Sequence, residues 1–321
     1  MKRVLVTGAN GFVGGHLCEE LLRHGYEVVG FARASDNVGA RAVEILEGDV
    51  LLQETVIEGV RRVKPNYIVH LAAQAKPGYS FGHAQETFEI NVFGTLNVLE
   101  AVRQLREKDA EYNPRILCIG TSEEYGDVTK KDLPLREDAP LRPTNPYAIS
   151  KVACYHSAMQ YVRTYGMNIL YAVPFSHIGP GQREGFLIPD VCKQIVEIER
   201  GEREPVLVTG PLLTKRDYTD VRDIVRAYRM LLEVGEIGER YNLGRGESVA
   251  VDGVVEILLE MSEVKISHVV DESRKRPTEL MDLCASTEKI HTLCGWKSEI
   301  ELRNTLRDAL DGWRKLNGYP V

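Results

Sequence analysis

The chain has 321 residues, with 47 acidic against 40 basic side chains and a formal net charge of -7; that length buries one large domain or two smaller ones, and the mixed charges without a long basic run argue against a nucleic-acid partner, leaving any phosphate-bearing ligand to a local site. The cysteines, Cys18, Cys118, Cys154, Cys192, Cys284 and Cys294, are scattered without a C-x-x-C pair and lie mostly in apolar segments, which points to reduced core thiols rather than disulfides or a metal site. Neither a basic segment leading into an apolar core at the N-terminus nor an apolar run long enough to span a bilayer is seen, so a cytoplasmic location without a membrane partner is expected.

Residues 3–7 read as a short buried strand that runs into Gly8-Ala9-Asn10-Gly11-Phe12-Val13-Gly14-Gly15 and then into an amphipathic helix to about His24. Strand, glycine turn and helix in that order bring the backbone close to a pyrophosphate at a helix N-terminus, so Gly8, Asn10, Gly11, Phe12, Val13 and Gly14 form the expected dinucleotide cradle. The second strand, 26–31, ends without the acidic residue that normally holds the ribose of NAD. Arg33 and Ser35 follow instead, which suits a 2′-phosphate and favours NADP(H) over NAD(H). The alternative is that Arg33 is a solvated charge and Asp36 does the ribose work. A third strand within 43–50 places Asp49, with Val50 beside it, where the adenine amine is expected. A helix through Val60 and Val63 then leads to Pro65.

Residues 67–74 form a fourth strand pattern ending in Leu71, Ala72 and Ala73, small enough to let a cofactor lie against the backbone. His70 reads as a satisfied strand histidine, because its neighbours are apolar and no acidic partner adjoins it. A long helical pattern from 83 to 105 contains Asn91. The fifth strand, 116–120, delivers Thr121-Ser122-Glu123-Glu124-Tyr125-Gly126 at its C-terminal end, the edge at which open α/β sheets bind ligands. In Asn145-Pro146-Tyr147-Ala148-Ile149-Ser150-Lys151, Asn145 suits a helix N-cap and Pro146 the first helical position, so Tyr147 and Lys151 project from one face, one turn apart. A nearby cation stabilises a phenolate, so Tyr147 is expected to exchange a proton nearer neutrality than the ordinary tyrosine value of about 10. The plain alternative is a surface Tyr and Lys on an ordinary helix. A strand at 168–173 precedes Pro174-Phe175-Ser176-His177-Ile178-Gly179-Pro180-Gly181-Gln182, after which the alternation loosens. The dense polar run 215–223 and the basic loop 274–279 are both compatible with solvated surface.

Together, Gly8-x-x-Gly11-x-x-Gly14, Leu71-Ala72-Ala73, Asn91, Thr121 and Tyr147-x-x-x-Lys151, in that order, resemble the extended short-chain dehydrogenase/reductases that act on nucleotide sugars, over nearly the whole chain. The resemblance implies an α/β fold: a Rossmann doubly wound parallel sheet with a smaller C-terminal α/β substrate lobe. Residues 1–173 would carry cofactor and catalytic groups, and 174–321 mainly the nucleotide sugar, with one or more segments returning to the sheet. It implies Thr121 as the hydrogen-bonding hydroxyl, Tyr147 as acid/base, and Lys151 as its tuner and ribose anchor. Leu71, Ala72, Ala73, Pro174 and His177 would be further cofactor contacts. It also implies a homodimer through a four-helix bundle, supplied by the helices starting near His83 and Pro146.

Within that family, residues 174–182, 216–223 and 276–279 look most like the GDP-mannose branch, which implies a GDP-linked sugar as substrate. Two reactions are then open. One is reduction of the C4 ketone of GDP-4-keto-6-deoxy-mannose with NADPH to GDP-rhamnose. The other is redox-neutral 4,6-dehydration of GDP-mannose, which needs a base for the C5 proton, and Glu123 stands where dehydratases carry it. The glycine turn departs from the Gly-x-Thr-Gly-Gln-Asp-Gly of dehydratases and the 177–182 loop looks like that of reductases, so reduction is favoured. Ser122, Glu123, Ser176, Arg216 and Arg276 are the expected substrate contacts, although Ser176 stands where Asn is common. Another nucleotide-sugar epimerase or dehydratase remains an alternative, as does an NADP-binding sensor without turnover, against which the complete triad argues.

Overall fold

A computed structural model describes residues 1–33, 43–274 and 280–318. The first strand, β1 (Arg3–Thr7), is rich in β-branched and leucine side chains that alternate between faces, Val4 and Val6 entering one core and Leu5 the other. It is followed by β2 (Glu27–Ala32), β3 (Glu44–Glu47), β4 (Tyr67–His70), β5 (Arg115–Ile119) and β6 (Ile169–Pro174). The intervening helices are α1 (Phe12–Arg23), α2 (Gln53–Val63), the short α3 (Pro77–Ser80) and α4 (Ala84–Phe88), α5 (Gly94–Lys108) and α6 (Pro146–Tyr165).

Beyond β6 come β7 (Ser176–Ile178), α7 (Leu187–Glu199), β8 (Val206–Thr209), β9 (Lys215–Arg216), β10 (Tyr218–Asp220), α8 (Val221–Val234) and β11 (Arg240–Leu243). The last elements are β12 (Val249–Ala250), α9 (Val251–Glu260), β13 (Ser267–Val270), β14 (Asp282–Leu283), α10 (Glu288–Cys294) and α11 (Leu302–Leu316). The main sheet has seven strands in the order β3-β2-β1-β4-β5-β6-β11, every pair parallel. This is the doubly wound Rossmann arrangement that the sequence led us to expect, and its order reverses between β1 and β4, where such sheets open a crevice. Small sheets lie outside it: β7 with β10, β8 with β13, and β9 between β12 and β14.

Helices α2, α5 and α6 cover one face through Val60, Leu99 and Ala158 on Phe31 and Ile68. Helices α1 and α8 cover the other, with Leu17, Leu21, Tyr228 and Leu231 against Val6 and Val69. A third core, including Ile188, Val191, Val254, Leu258 and Leu310, unites α7, α9 and α11. Trp296 is fully buried against α8 and its indole N–H donates to the Asp223 carbonyl at 3.0 Å; truncating such a side chain costs about 3–5 kcal/mol.

Two local readings change. The helical pattern from 83 to 105 is broken by a π-helical turn, Glu89–Phe93, that joins α4 to α5 and presents Asn91 inward. The polar run 215–223 is not solvated surface, because Asp217, Thr219, Asp220 and Asp223 are buried. Asp217 accepts backbone N–H bonds from Arg245 (2.7 Å), Gly246 (3.0 Å) and Ala285 (3.1 Å). Asp220 caps α8 and binds Arg222 and Thr305, while Asp223 accepts from the backbone of Glu299 and Ile300. Buried carboxylates need such partners, and all of these but Arg222 lie 28 to 85 residues away in sequence. Among the described residues, no helix is long and apolar enough to cross a membrane and no cluster of side chains is arranged to hold a metal ion.

Candidate active site

Where β1 ends, the chain turns at Gly8, with φ +69°, and α1 begins with Gly11 as its N-cap and no side-chain cap. A Cβ on Gly14 would lie 2.3 Å from the Gly8 carbonyl oxygen and 2.8 Å from Ala9 Cα, and a Cβ on Gly8 would lie 2.9 Å from the Ala72 nitrogen. Those neighbours are backbone and cannot step aside. The glycines thus let the turn pack against the exit of β4 and expose the first turn of α1, where unsatisfied N–H groups favour an anion. The Asn10 side-chain nitrogen is buried there without a hydrogen-bond partner, a donor that fits a phosphate or ribose oxygen.

The turn opens on a cleft of about 940 Å³ at the C-terminal edge of the sheet. Gly8, Asn10, Gly11, Phe12, Val13 and Gly14 line it, as do Arg33, Asp49 and Val50 beyond β2 and β3. Leu71, Ala72 and Ala73 line it beyond β4, and Pro174 and His177 at the end of β6 and in β7. His177 stacks on Phe12, with ring centroids 6.4 Å apart, and its Nδ1 lies 3.0 Å from the Phe175 carbonyl; burial lowers the pKa of the imidazole. Asn91 ties this edge together: its amide oxygen accepts from Gln74 N–H (2.8 Å) and its nitrogen donates to Gln74 carbonyl (3.1 Å) and to Ser150 Oγ (2.9 Å). His70 fits its expected role by one nitrogen only. Nδ1 meets Thr7 Oγ1 at 2.8 Å, Nε2 is buried without a partner, and burial, aided by the Lys151 charge, pushes its pKa down to about 3.

Asn145 caps α6 by accepting from Ala148 N–H at 2.8 Å, with Pro146 at the first helical position. Tyr147 and Lys151 therefore face the cleft together, beside Thr121 at the end of β5. The Thr121 hydroxyl hydrogen-bonds the Tyr147 phenol, and Lys151 Nζ donates to the Ile119 carbonyl at 2.9 Å. The phenol's pKa shifts upward, opposite to the direction that the Tyr147–Lys151 spacing suggests. Burial, then the charge of Glu123, raises its pKa well above the ordinary value, outweighing the opposing hydrogen bond from Thr121. Desolvation, which disfavours the phenolate, is the largest of these causes.

Ser122, Glu123, Ser176 and Arg216 also line the cleft, and Glu123 and Arg216 are shared with an adjoining cavity of about 300 Å³. That cavity is walled by Asn145, Thr209, Gly210, Leu212 and Arg274. Asn145 Nδ2 donates to Glu123 Oε2 at 2.6 Å, fixing the carboxylate between the two spaces. Arg216 Nη1 donates to the carbonyls of Lys215 (2.7 Å) and Leu280 (2.6 Å). Arg276, Ser35 and Asp36 lie outside the described residues.

Some lining residues were not anticipated. Gln182 has a buried side-chain oxygen without a partner, and Lys76 Nζ donates to the Glu184 carbonyl at 3.0 Å across the mouth. Gln182 closed the loop already singled out, so its polarity in a Gly-Pro-Gly setting was an available signal. Tyr228, on α8, gives no such signal because it reads as an ordinary core tyrosine; it lines the cleft with its hydroxyl buried and unpartnered.

A family model described as GDP-mannose 4,6 dehydratase matches residues 5–309. GDP-6-deoxy-D-mannose reductase of Pseudomonas aeruginosa is 32% identical over 312 residues, covering 97% of each chain. GDP-mannose 4,6-dehydratase of Yersinia enterocolitica is 27% identical, covering 97% of this chain and 94% of its own. Among solved structures, RMD from Pseudomonas aeruginosa complexed with NADPH matches with a TM-score of 0.83 at 30% identity, covering 98% of this chain and 100% of the other. UDP-glucose 4-epimerase of Thermus thermophilus in complex with NAD matches with a TM-score of 0.84 at 27% identity, covering 97% and 99%.

Proposed function

This chain belongs to the GDP-mannose 4,6 dehydratase family, and from that membership we propose that it reduces the C4 ketone of GDP-4-keto-6-deoxy-mannose with NADPH, giving GDP-rhamnose. It is an NAD(P)-dependent nucleotide-sugar enzyme of the extended short-chain dehydrogenase/reductase type. The observation that carries the reading is the meeting of Tyr147, hydrogen-bonded to Thr121, with Lys151 in one cleft. The 32% identity to a named reductase supports it.

When bound, NADPH supplies the hydride. Tyr147 gives its proton to the carbonyl oxygen as charge develops there, and Thr121 offers a second hydrogen bond to the same oxygen. Lys151, anchored on the Ile119 carbonyl, stabilises the phenolate left behind. Ser122, Ser176 and Arg216 hold the nucleotide sugar, Arg216 by its affinity for phosphate oxygens, and the cavity walled by Thr209 and Arg274 takes its nucleotide end. In this reading residues 174–321 form mainly the nucleotide-sugar lobe, with α8 and β11 returning to the main sheet.

The dehydratase reading keeps one specific support, the Glu123 carboxylate held between the cavities. The two readings separate on Glu123→Gln. For a reductase, turnover at neutral pH survives, because the carbonyl oxygen takes its proton from Tyr147 and the reaction removes no C5 proton. For a dehydratase the variant loses its base, and turnover falls by about 10²-fold or more. A direct assay of the unaltered enzyme with GDP-mannose and NADP is expected to yield no keto sugar; its formation without net cofactor change replaces the reductase reading.

NADPH is proposed over NADH because Arg33 follows β2 where a carboxylate would hold NAD. Arg33→Ala is expected to weaken NADPH about ten-fold in a fluorescence titration while leaving NADH unchanged; equal losses for both cofactors argue against it. A homodimer through α5 and α6 is proposed because Phe93, Ile149 and Tyr165 stand exposed on the π-helical turn and α6. Ile149→Glu should then sediment as a monomer at concentrations where the unaltered chain is dimeric, and an unchanged sedimentation pattern removes this interface.

A further inference from the structure

The end of β5 carries a second carboxylate that the proposed reaction does not use. Glu124 is fully buried and lines neither cavity, so it reaches no ligand. Its Oε1 accepts from the Thr121 backbone N–H at 3.0 Å and from the Tyr171 phenol at 2.9 Å, and its Oε2 accepts from Arg240 Nη2 at 3.1 Å. The same phenol stands 2.9 Å from the Lys151 carbonyl oxygen, so its single hydrogen is shared between that carbonyl and the carboxylate. Arg240, on β11, is only 6% exposed and lies over the rings of Tyr155 (4.7 Å), Tyr125 (5.2 Å) and Tyr171 (6.0 Å). The approach is close enough that a Cβ on Gly120 would lie 2.2 Å from Glu124 Oε1.

Stability alone gives no reason for this pair. Taking both charges out of water costs much of what their attraction returns, and well-packed apolar side chains of similar volume often serve folding as well or better. What the pair does have is position. The carboxylate meets the backbone of one triad residue, and the phenol it binds meets the backbone of another. β5, β6, β11 and α6 therefore converge on one acidic group immediately behind the reacting edge.

We infer that Glu124, held by Arg240, is a positioning residue for the triad: it fixes the backbone of Thr121 and, through Tyr171, the turn of α6 that bears Lys151. The inference rests on the triad assignment proposed above. A glutamine cannot replace the carboxylate. If its NH2 takes the Oε1 place it faces the Thr121 N–H and Tyr171 O–H donors, and if it takes the Oε2 place it faces the guanidinium.

The test uses Tyr171→Phe, which removes one hydroxyl and keeps the ring in the core, with Glu124→Gln beside it. The rate is read in single turnovers with whichever pair the unaltered enzyme uses, NADPH with GDP-4-keto-6-deoxy-mannose or NADP with GDP-mannose. Misplacing a catalytic group by about 1 Å costs up to about 10²-fold. The chemical step is therefore expected to slow about ten-fold in Tyr171→Phe and more in Glu124→Gln, while the KM of the sugar nucleotide and the Kd of the cofactor stay put. An unchanged rate in Tyr171→Phe overturns the inference, as does a loss spread equally over rate, KM and Kd together with a lower Tm. Should Glu124→Gln fail to fold, Tyr171→Phe still decides. Tyr147→Phe run in parallel separates the two failures: if it stops turnover while Tyr171→Phe does not slow it, only the positioning inference falls, and if Tyr147→Phe turns over normally, the triad assignment itself falls.

Discussion

Tyr147→Phe is expected to lower the rate of hydride transfer about 10³-fold, within the range that a positioned general acid contributes, with little change in NADPH affinity. The change removes one oxygen and leaves the ring in place. Tyr147 is only 7% exposed and sits in the first turns of α6, so the phenyl ring keeps the packing of the cleft wall. What disappears is the proton for the carbonyl oxygen and one partner of the Thr121 hydroxyl. Burial and Glu123 raise the pKa of this phenol, which favours the proton-donating form that reduction uses. Single-turnover absorbance of the nicotinamide measures the rate and fluorescence titration measures the affinity. Normal turnover in a variant that binds NADPH would remove Tyr147 from the mechanism.

Gly14→Ala is expected to weaken NADPH binding about ten- to a hundred-fold, because overpacking of this kind costs roughly 1–3 kcal/mol and each 1.4 kcal/mol is a factor of ten. The added carbon would lie 2.3 Å from the Gly8 carbonyl oxygen, and relief requires moving the turn that forms the cradle. Gly253→Ala, in α9, is the control, since nothing lies within 4 Å of its Cβ position and alanine is the better helix former. Titration of both variants with NADPH checks the claim. Unchanged affinity in a folded Gly14→Ala would show that the cofactor does not use this turn.

The parts of the site legible in the sequence are those whose geometry is local. The turn from Gly8 to Gly14 follows from steric limits within seven residues, and the common face of Tyr147 and Lys151 follows from a helix N-cap, a proline and one turn. The strand ends at Leu71–Ala73 and Thr121 could be placed because a buried strand announces where it stops. What escaped was set by distant partners. Asp217, Asp220 and Asp223 looked like surface because their ligands come from residues 245, 246, 285, 299, 300 and 305. Glu124 carries no signal of its own in the sequence, because its pairing with Arg240 spans 116 residues. The upward shift of the Tyr147 phenol is illegible in the sequence for a similar reason. Spacing shows that Lys151 is near, but not that its ammonium rests on the Ile119 carbonyl or that burial dominates the phenol.

Reduction of a 4-keto sugar nucleotide by NADPH is tested most directly by mixing the enzyme, NADPH and GDP-4-keto-6-deoxy-mannose and following both the nicotinamide absorbance and the sugar nucleotide. The account predicts loss of one NADPH for each GDP-rhamnose formed. An unchanged absorbance with this substrate, alongside conversion of GDP-mannose to a keto sugar, would contradict it.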